Sequence, residues 1–164
     1  MTKFENADLR DIYELARNIC LRNRIPISQE IDTVTYKNVR SYWGKCRKKS
    51  DGGFDIYINA ALEDNRRAML NTMIHELIHT CSGCMNHSVR WKKYAAALNA
   101  AEGLRIRTAE TEKDTGVKAR PPKVNYAVEC ENGHRLERER MSLLIKNPEH
   151  YICRECRTRF HRVL

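Results

Sequence analysis

His75-Glu76-Leu77-Ile78-His79 sets two imidazoles four residues apart, with a carboxylate beside the first. On a helix such residues stack one turn apart on one face, where both rings reach a single metal ion without distorting the backbone. Glu76, about 100° around the helix from His75, can hold and deprotonate a water at that metal without ligating it. Catalytic zinc takes three protein ligands and keeps one position open. The third ligand is His87 or Glu102. We prefer His87, because it follows His79 by eight residues across Gly83, a turn that returns it directly to the metal. Cys81 and Cys84 form a C-x-x-C in the same stretch, and both are read as structural.

A second constellation lies further on. Cys130-x-x-x-His134 and Cys153-x-x-Cys156 are two knuckles separated by a hairpin-length insert, the arrangement of a zinc ribbon. His150 and His161 are the other imidazoles that can take the place of His134. A closed Cys₃His site contributes on the order of 10–16 kcal/mol of folding free energy in zinc-finger peptides. Arg154, Arg157 and Arg159 surround the second knuckle and are the candidate nucleic-acid contacts. Arg138 and Arg140 alternate along a predicted strand and would share one face.

These residues need elements to hold them. Leu9, Ile12, Tyr13, Ala16, Ile19 and Cys20 recur at helical spacing over residues 5–22, with Asn6 or Asp8 as N-cap and Pro26 beyond the end. Three strands are predicted over 32–59: a β-branched run at Thr33–Tyr36, one around Tyr42 and Trp43, and FDIYIN. Asp51-Gly52-Gly53 joins the last two as a hairpin. The strongest helix spans 64–82, with an apolar stripe of Leu70, Met73, Ile74, Leu77, Ile78 and Cys81, and the His-Glu-His trio runs along its edge. A packing helix over 88–101 presents Trp91, Tyr94, Ala95 and Leu98. Residues 108–123 lack an apolar period and end in Pro-Pro, the texture of a linker.

The 164 residues carry 31% charged and 41% hydrophobic side chains, with no apolar run long enough to cross a membrane. Acidic residues near the start stand where a signal peptide needs an apolar stretch, so secretion is not expected. With 7 Gly and 4 Pro, collagen-like and low-complexity classes are excluded. Seven cysteines in a reducing compartment point to metal chemistry rather than disulfides, and a cytoplasmic location is expected. The net charge is +9, of which +5 falls on the 48 residues after Gly116. That bias favours polyanions, and association with the nucleoid is the corresponding expectation.

HELIHTCSGCMNHSVRW resembles the zinc-binding segment of the SprT-like (Spartan-related) family of zinc metalloproteases: H-E-x-x-H, a short loop, then N-H ahead of an aromatic. Upstream, YWGKCRKKSDGGFDIYINAAL is similar to the W-G-x-C element, turn and Asn-ending strand of that family. The resemblance covers about residues 8–104, and the Cys/His unit matches the zinc-ribbon-like tail of such proteins. It implies His75, His79 and His87 as zinc ligands and Glu76 as the catalytic glutamate. The loop between His79 and His87 is shorter than Spartan's, and Spartan's regulatory tail has no counterpart.

The expected fold is α+β. A zincin-like metalloprotease domain over 1–107, with H-E-x-x-H on a central helix, is followed by a linker at 108–125 and a small β zinc ribbon at 126–164. Two zinc ions are expected, one catalytic and one structural. The expected activity is zinc-dependent endopeptidase action on DNA-associated or DNA-crosslinked proteins. Protein substrates and DNA are the partners, no membrane is involved, and the chain is read as a monomer. The alternative is a nucleic-acid-binding zinc protein whose H-E-x-x-H metal is structural. Against it, a structural site gains nothing from Glu76 and would normally use a fourth protein ligand.

Overall fold

A computed structural model describes residues 1–117 and 123–164. The chain divides into two compact units, Met1–Ala119 and Arg120–Leu164.

In the first unit, Asn6 opens helix α1 (Ala7–Arg22) by accepting the Leu9 N–H at 2.9 Å. The helix buries the six residues whose spacing predicted it. Four strands form a sheet: β1 (Lys3–Phe4), β2 (Ile31–Lys37), β3 (Gly44–Lys48) and β4 (Phe54–Asn59), in the order β1-β2-β4-β3. β3 and β4 pair antiparallel as a hairpin, while β2 runs parallel to β4 and β1 parallel to β2. The two-residue β1 is too short to show a period and exists through its pairing with β2.

The middle strand starts at Gly44, after the aromatic pair on which it was predicted. Tyr42 and Trp43 are instead pinned as a loop by Asn59. The Asn59 amide donates to the carbonyls of Tyr42 (2.8 Å) and Val39 (2.9 Å), and its backbone N–H donates to Trp43 (2.7 Å). Buried Asp55 on β4 is satisfied by Thr33 Oγ1 at 2.7 Å and Arg47 Nη2 at 2.6 Å.

Helix α2 (Arg66–His79) begins at Asn65, which accepts the Ala68 N–H at 3.1 Å. The predicted stripe implied one buried side. In fact every residue from Asn71 to His79 is buried, polar ones included. The cause is crowding, since α2 packs against α1, β3, β4 and α3 (Val89–Glu102). Ser88 caps α3, which buries Trp91, Ala95 and Leu98 and ends at Gly103 in the left-handed region.

The segment expected as a linker belongs, up to residue 117, to this unit. Thr72 Oγ1 donates to Glu110 at 2.8 Å, and Asn65 donates to the Thr115 carbonyl at 2.6 Å, holding the short helix α4 (Glu112–Thr115). Asn99 pairs twice with the Ile106 backbone, at 2.8 and 2.9 Å. Polar side chains of α2 and α3 thus fasten a stretch with no apolar period to announce it. The part of the expected linker at 118–122 lies outside the described residues.

The second unit is a three-stranded antiparallel sheet, β6 (Arg135–Arg138), β5 (Tyr126–Cys130) and β7 (Phe160–Arg162), in that order, with the short helix α5 (Leu143–Lys146). Its buried core is Val128, Cys130, Ile145, Cys153 and Phe160. So few apolar groups rarely hold a unit together without a metal or a disulfide. β6 ends at Arg138, so Arg140 does not share a strand face with it. The fold class is α+β, with small sheets and helices in the first unit and a small β-rich second unit.

Candidate metal centres

His75 Nε2 lies 3.1 Å from His79 Nε2 and 3.0 Å from His87 Nε2. A tetrahedral ion with metal–nitrogen bonds of about 2.0–2.1 Å holds its nitrogens about 3.3 Å apart, so the spacing fits a three-imidazole site. The tautomers fit as well. His79 Nδ1 donates to the Cys84 carbonyl at 2.6 Å, leaving a lone pair on Nε2. His75 Nε2 then faces two other ring nitrogens and can donate a proton to only one. A cation among the three satisfies all of them.

Burial pushes His75 down to about 3, and the neighbouring His79 and His87 add to the effect. Burial also lowers His79 and His87. All three rings are therefore neutral near pH 7, the form that binds metal. Trp91 braces the cluster. Its ring centroid lies 4.6 Å from that of His87, 4.7 Å from His75 and 5.6 Å from His79. His75 Nδ1 meets no donor or acceptor in good hydrogen-bond geometry among the described residues, but the Arg107 backbone lies close enough to raise its proton affinity, so Trp91 and Arg107 both bear on the ring.

Glu102, the rival ligand, is engaged elsewhere. Its carboxylate takes Arg22 Nε at 2.8 Å and Asn23 Nδ2 at 2.6 Å. Cys81 and Cys84 are both buried and stand apart from the imidazole cluster. Cys84 still contributes, through its carbonyl.

Glu76 is 4% exposed and is not one of the clustered ligands. Burial pushes its carboxyl up to about 8, against a hydrogen bond from the Cys46 backbone, and Glu110 adds to the rise. Gly44 makes room for it. A Cβ at Gly44 would meet Glu76 Oε1 at 2.5 Å and Thr72 Cγ2 at 2.6 Å. Burial also raises Glu110, whose hydrogen bond from Thr72 opposes that shift.

In the second unit Cys130, His134, Cys153 and Cys156 bring their ligand atoms within 4.8 Å of one another. Cys130 Sγ lies 3.4 Å from Cys156 Sγ and 3.4 Å from His134 Nδ1, and Cys153 Sγ lies 3.6 Å from that nitrogen. Zinc–sulfur bonds of about 2.3 Å give separations of about 3.6–3.8 Å, so the set fits a closed tetrahedral site. His134 Nε2 meets Glu155 at 2.9 Å, which turns Nδ1 toward the sulfurs. Hydrogen bonds from the Thr158 side chain and backbone lower the Cys156 thiol to about 5, toward the thiolate a metal needs. His150 and His161 are exposed and outside the cluster.

Arg154, Arg157 and Arg159 are all exposed. Arg159 donates to the Glu149 carbonyl at 2.8 Å, and Arg157 sits in the left-handed region at φ 64°. Sequence reasoning missed four contributors: Gly44, Trp91 as a brace, the Cys84 carbonyl, and Glu110. Only Trp91, four residues after His87, had a readable position. Comparison with known families and with curated proteins finds no match for this chain.

Proposed function

We propose that the chain is a zinc-dependent endopeptidase of the SprT-like type, with a zincin-like first unit and a zinc-ribbon tail. The observation that carries this reading is the split in the His-Glu-His trio. Three imidazole nitrogens converge, while the Glu76 carboxylate beside them stays out of the ligand set. No fourth protein ligand joins that group among the described residues.

His75, His79 and His87 would hold the ion, which when bound supplies Lewis-acid polarisation of a peptide carbonyl and activates water. Glu76 accepts the water's proton and returns it to the leaving amine. Burial of the Glu76 carboxyl in the metal-free chain favours its holding a proton. Substrates are proteins on or crosslinked to DNA, met through Arg154, Arg157 and Arg159. The basic charge after Gly116 supports that part. Among the described residues no helix is long and apolar enough to cross a membrane.

One observation favours a structural metal instead, namely that Glu76 is almost fully enclosed. Glu76→Gln separates the two readings. The variant is expected to keep both metals and its fold while peptide cleavage by the zinc-loaded chain disappears. Cleavage by neither the wild type nor the variant would leave the metal structural, and cleavage by the variant at the wild-type rate would remove Glu76 from the role of base. Replacing the three arginines with Ala is expected to remove any stimulation by DNA and to spare basal cleavage.

A further inference from the structure

The first turn of α2 borders a cavity of about 200 Å³ that neither the three imidazoles nor Glu76 lines. Asn65, Arg67 and Asn71 form its α2 side; Arg105, Lys113 and Asp114 come from the segment that returns after α3. The charge balance is cationic. Asp114 accepts Thr111 N–H at 3.0 Å and Thr111 Oγ1 at 2.8 Å and pairs with Arg107 at 3.1 Å, and its charge is also felt by Arg105. No acid pairs with Arg67 or Lys113 among the described residues.

Asn71 supplies an independent sign. It is 6% exposed, yet its Oδ1 has no hydrogen-bond partner. Buried side-chain amides are nearly always paired, and this carbonyl oxygen finds no donor among the described residues. The orphan atom is an acceptor, so it would take a hydroxyl proton such as that of a protonated phosphate oxygen. The positive end of the α2 dipole adds to the field of the three cations.

We propose that this cavity binds a phosphate group. Two guanidinium forks suit the paired oxygens of a phosphate, and Lys113 adds a point charge. The volume leaves room for the first atoms of an ester, so the phosphate belongs to a nucleotide or polynucleotide chain or is free inorganic phosphate. The site joins the first turn of α2 to the segment that carries Glu110. An occupant therefore ties down the strand of chain lying beside Thr72 and Glu76. The inference does not depend on the peptidase reading.

The test uses the full zinc-loaded chain with Arg154, Arg157 and Arg159 already replaced by Ala, so that the tail contributes no phosphate contacts. Inorganic phosphate, thymidine 5′-monophosphate and a ten-nucleotide oligodeoxynucleotide are titrated at constant ionic strength, following amide shifts by NMR and affinity by calorimetry. Saturable shifts at residues 65–71 and 105–116 are expected. Arg67→Ala and Arg105→Ala are each expected to weaken binding about tenfold or more, consistent with loss of one charge-assisted hydrogen bond. Lys113→Gln, at an exposed position, provides a second variant with no folding burden. Binding of all three probes identifies the bare phosphate as the ligand. Binding of the oligonucleotide alone identifies a polynucleotide backbone. No saturable shift with any probe, or shifts unchanged in Arg67→Ala and Lys113→Gln, would overturn the proposal.

Discussion

His79 Nδ1 and the carbonyl oxygen of Cys84 lie 2.6 Å apart, so the turn after α2 is locked to the ring that α2 presents. One hydrogen bond fixes the tautomer of His79 and, through the same turn, the path of the chain to His87. Gly83 makes the turn possible with φ 74°, a conformation that side chains with a Cβ rarely adopt.

Gly83→Ala is therefore expected to cost more than about 1 kcal/mol of stability and to weaken zinc binding at the imidazole site about 10–100-fold. Gly83→Asn should lose less, since Asn tolerates the left-handed region. Competition with a chromophoric chelator measures both. Unchanged affinity in the Ala variant would show that the turn does not position His79.

Gly44→Ala places a methyl group where Glu76 and Thr72 already sit. Overpacking of this kind costs about 1–3 kcal/mol and moves the carboxylate. The expected outcome is a chain that keeps both metals and loses most of its cleavage activity. Wild-type stability and activity together would mean that β3 yields freely at this point.

Removal of metal is expected to act unequally on the two units. The second unit has five buried core residues besides its partly buried neighbours, whereas the first has a large core of its own. Strong chelation should collapse the amide dispersion of residues 124–164 and leave most of the first unit's spectrum in place. His134→Ala should reproduce the local effect without chelator. Retention of a dispersed spectrum for the second unit after zinc removal would contradict the metal dependence of its fold.

Glu110 gives a pH dependence of definite sign. Burial raises its carboxyl above the ordinary value of 4.5. The folded chain therefore binds that proton more tightly than the unfolded chain. The associated stability is complete below about 4.5 and is lost as pH rises through the raised folded value. Glu110→Gln keeps an acceptor for Thr72 and carries no charge. The variant is expected to gain stability over wild type as pH increases, with the gain levelling off above the folded pKa. Urea unfolding of the metal-free chain across a pH series reads this directly, because both tryptophans, Trp43 and Trp91, report the first unit. A pH-independent difference would place Glu110 in solvent.

Spacing alone brought forward the two Cys/His groups, offered Asn6 or Asp8 as the cap of α1, and gave the six core positions of α1 and a hairpin ending in β4. Those features are local: ligand pairs one turn apart and a Gly-Gly turn are written within a few residues. The sequence could also separate His87 from Glu102 by the chemistry of a short turn, and the ion pair of Glu102 with Arg22 bears on the same choice. What lay beyond reach depended on partners distant in the chain. Gly44 reads as an ordinary strand glycine until β3 is laid against Glu76. The segment at 104–117 has no apolar period, because side-chain hydrogen bonds from Asn65, Thr72 and Asn99 hold it. The apolar stripe placed the His-Glu-His trio along its edge, because hydrophobic periodicity counts only apolar neighbours. Only tertiary packing, which surrounds α2 with α1, α3, β3 and β4, decided that His75, Glu76 and His79 would be buried and that their proton affinities would shift accordingly.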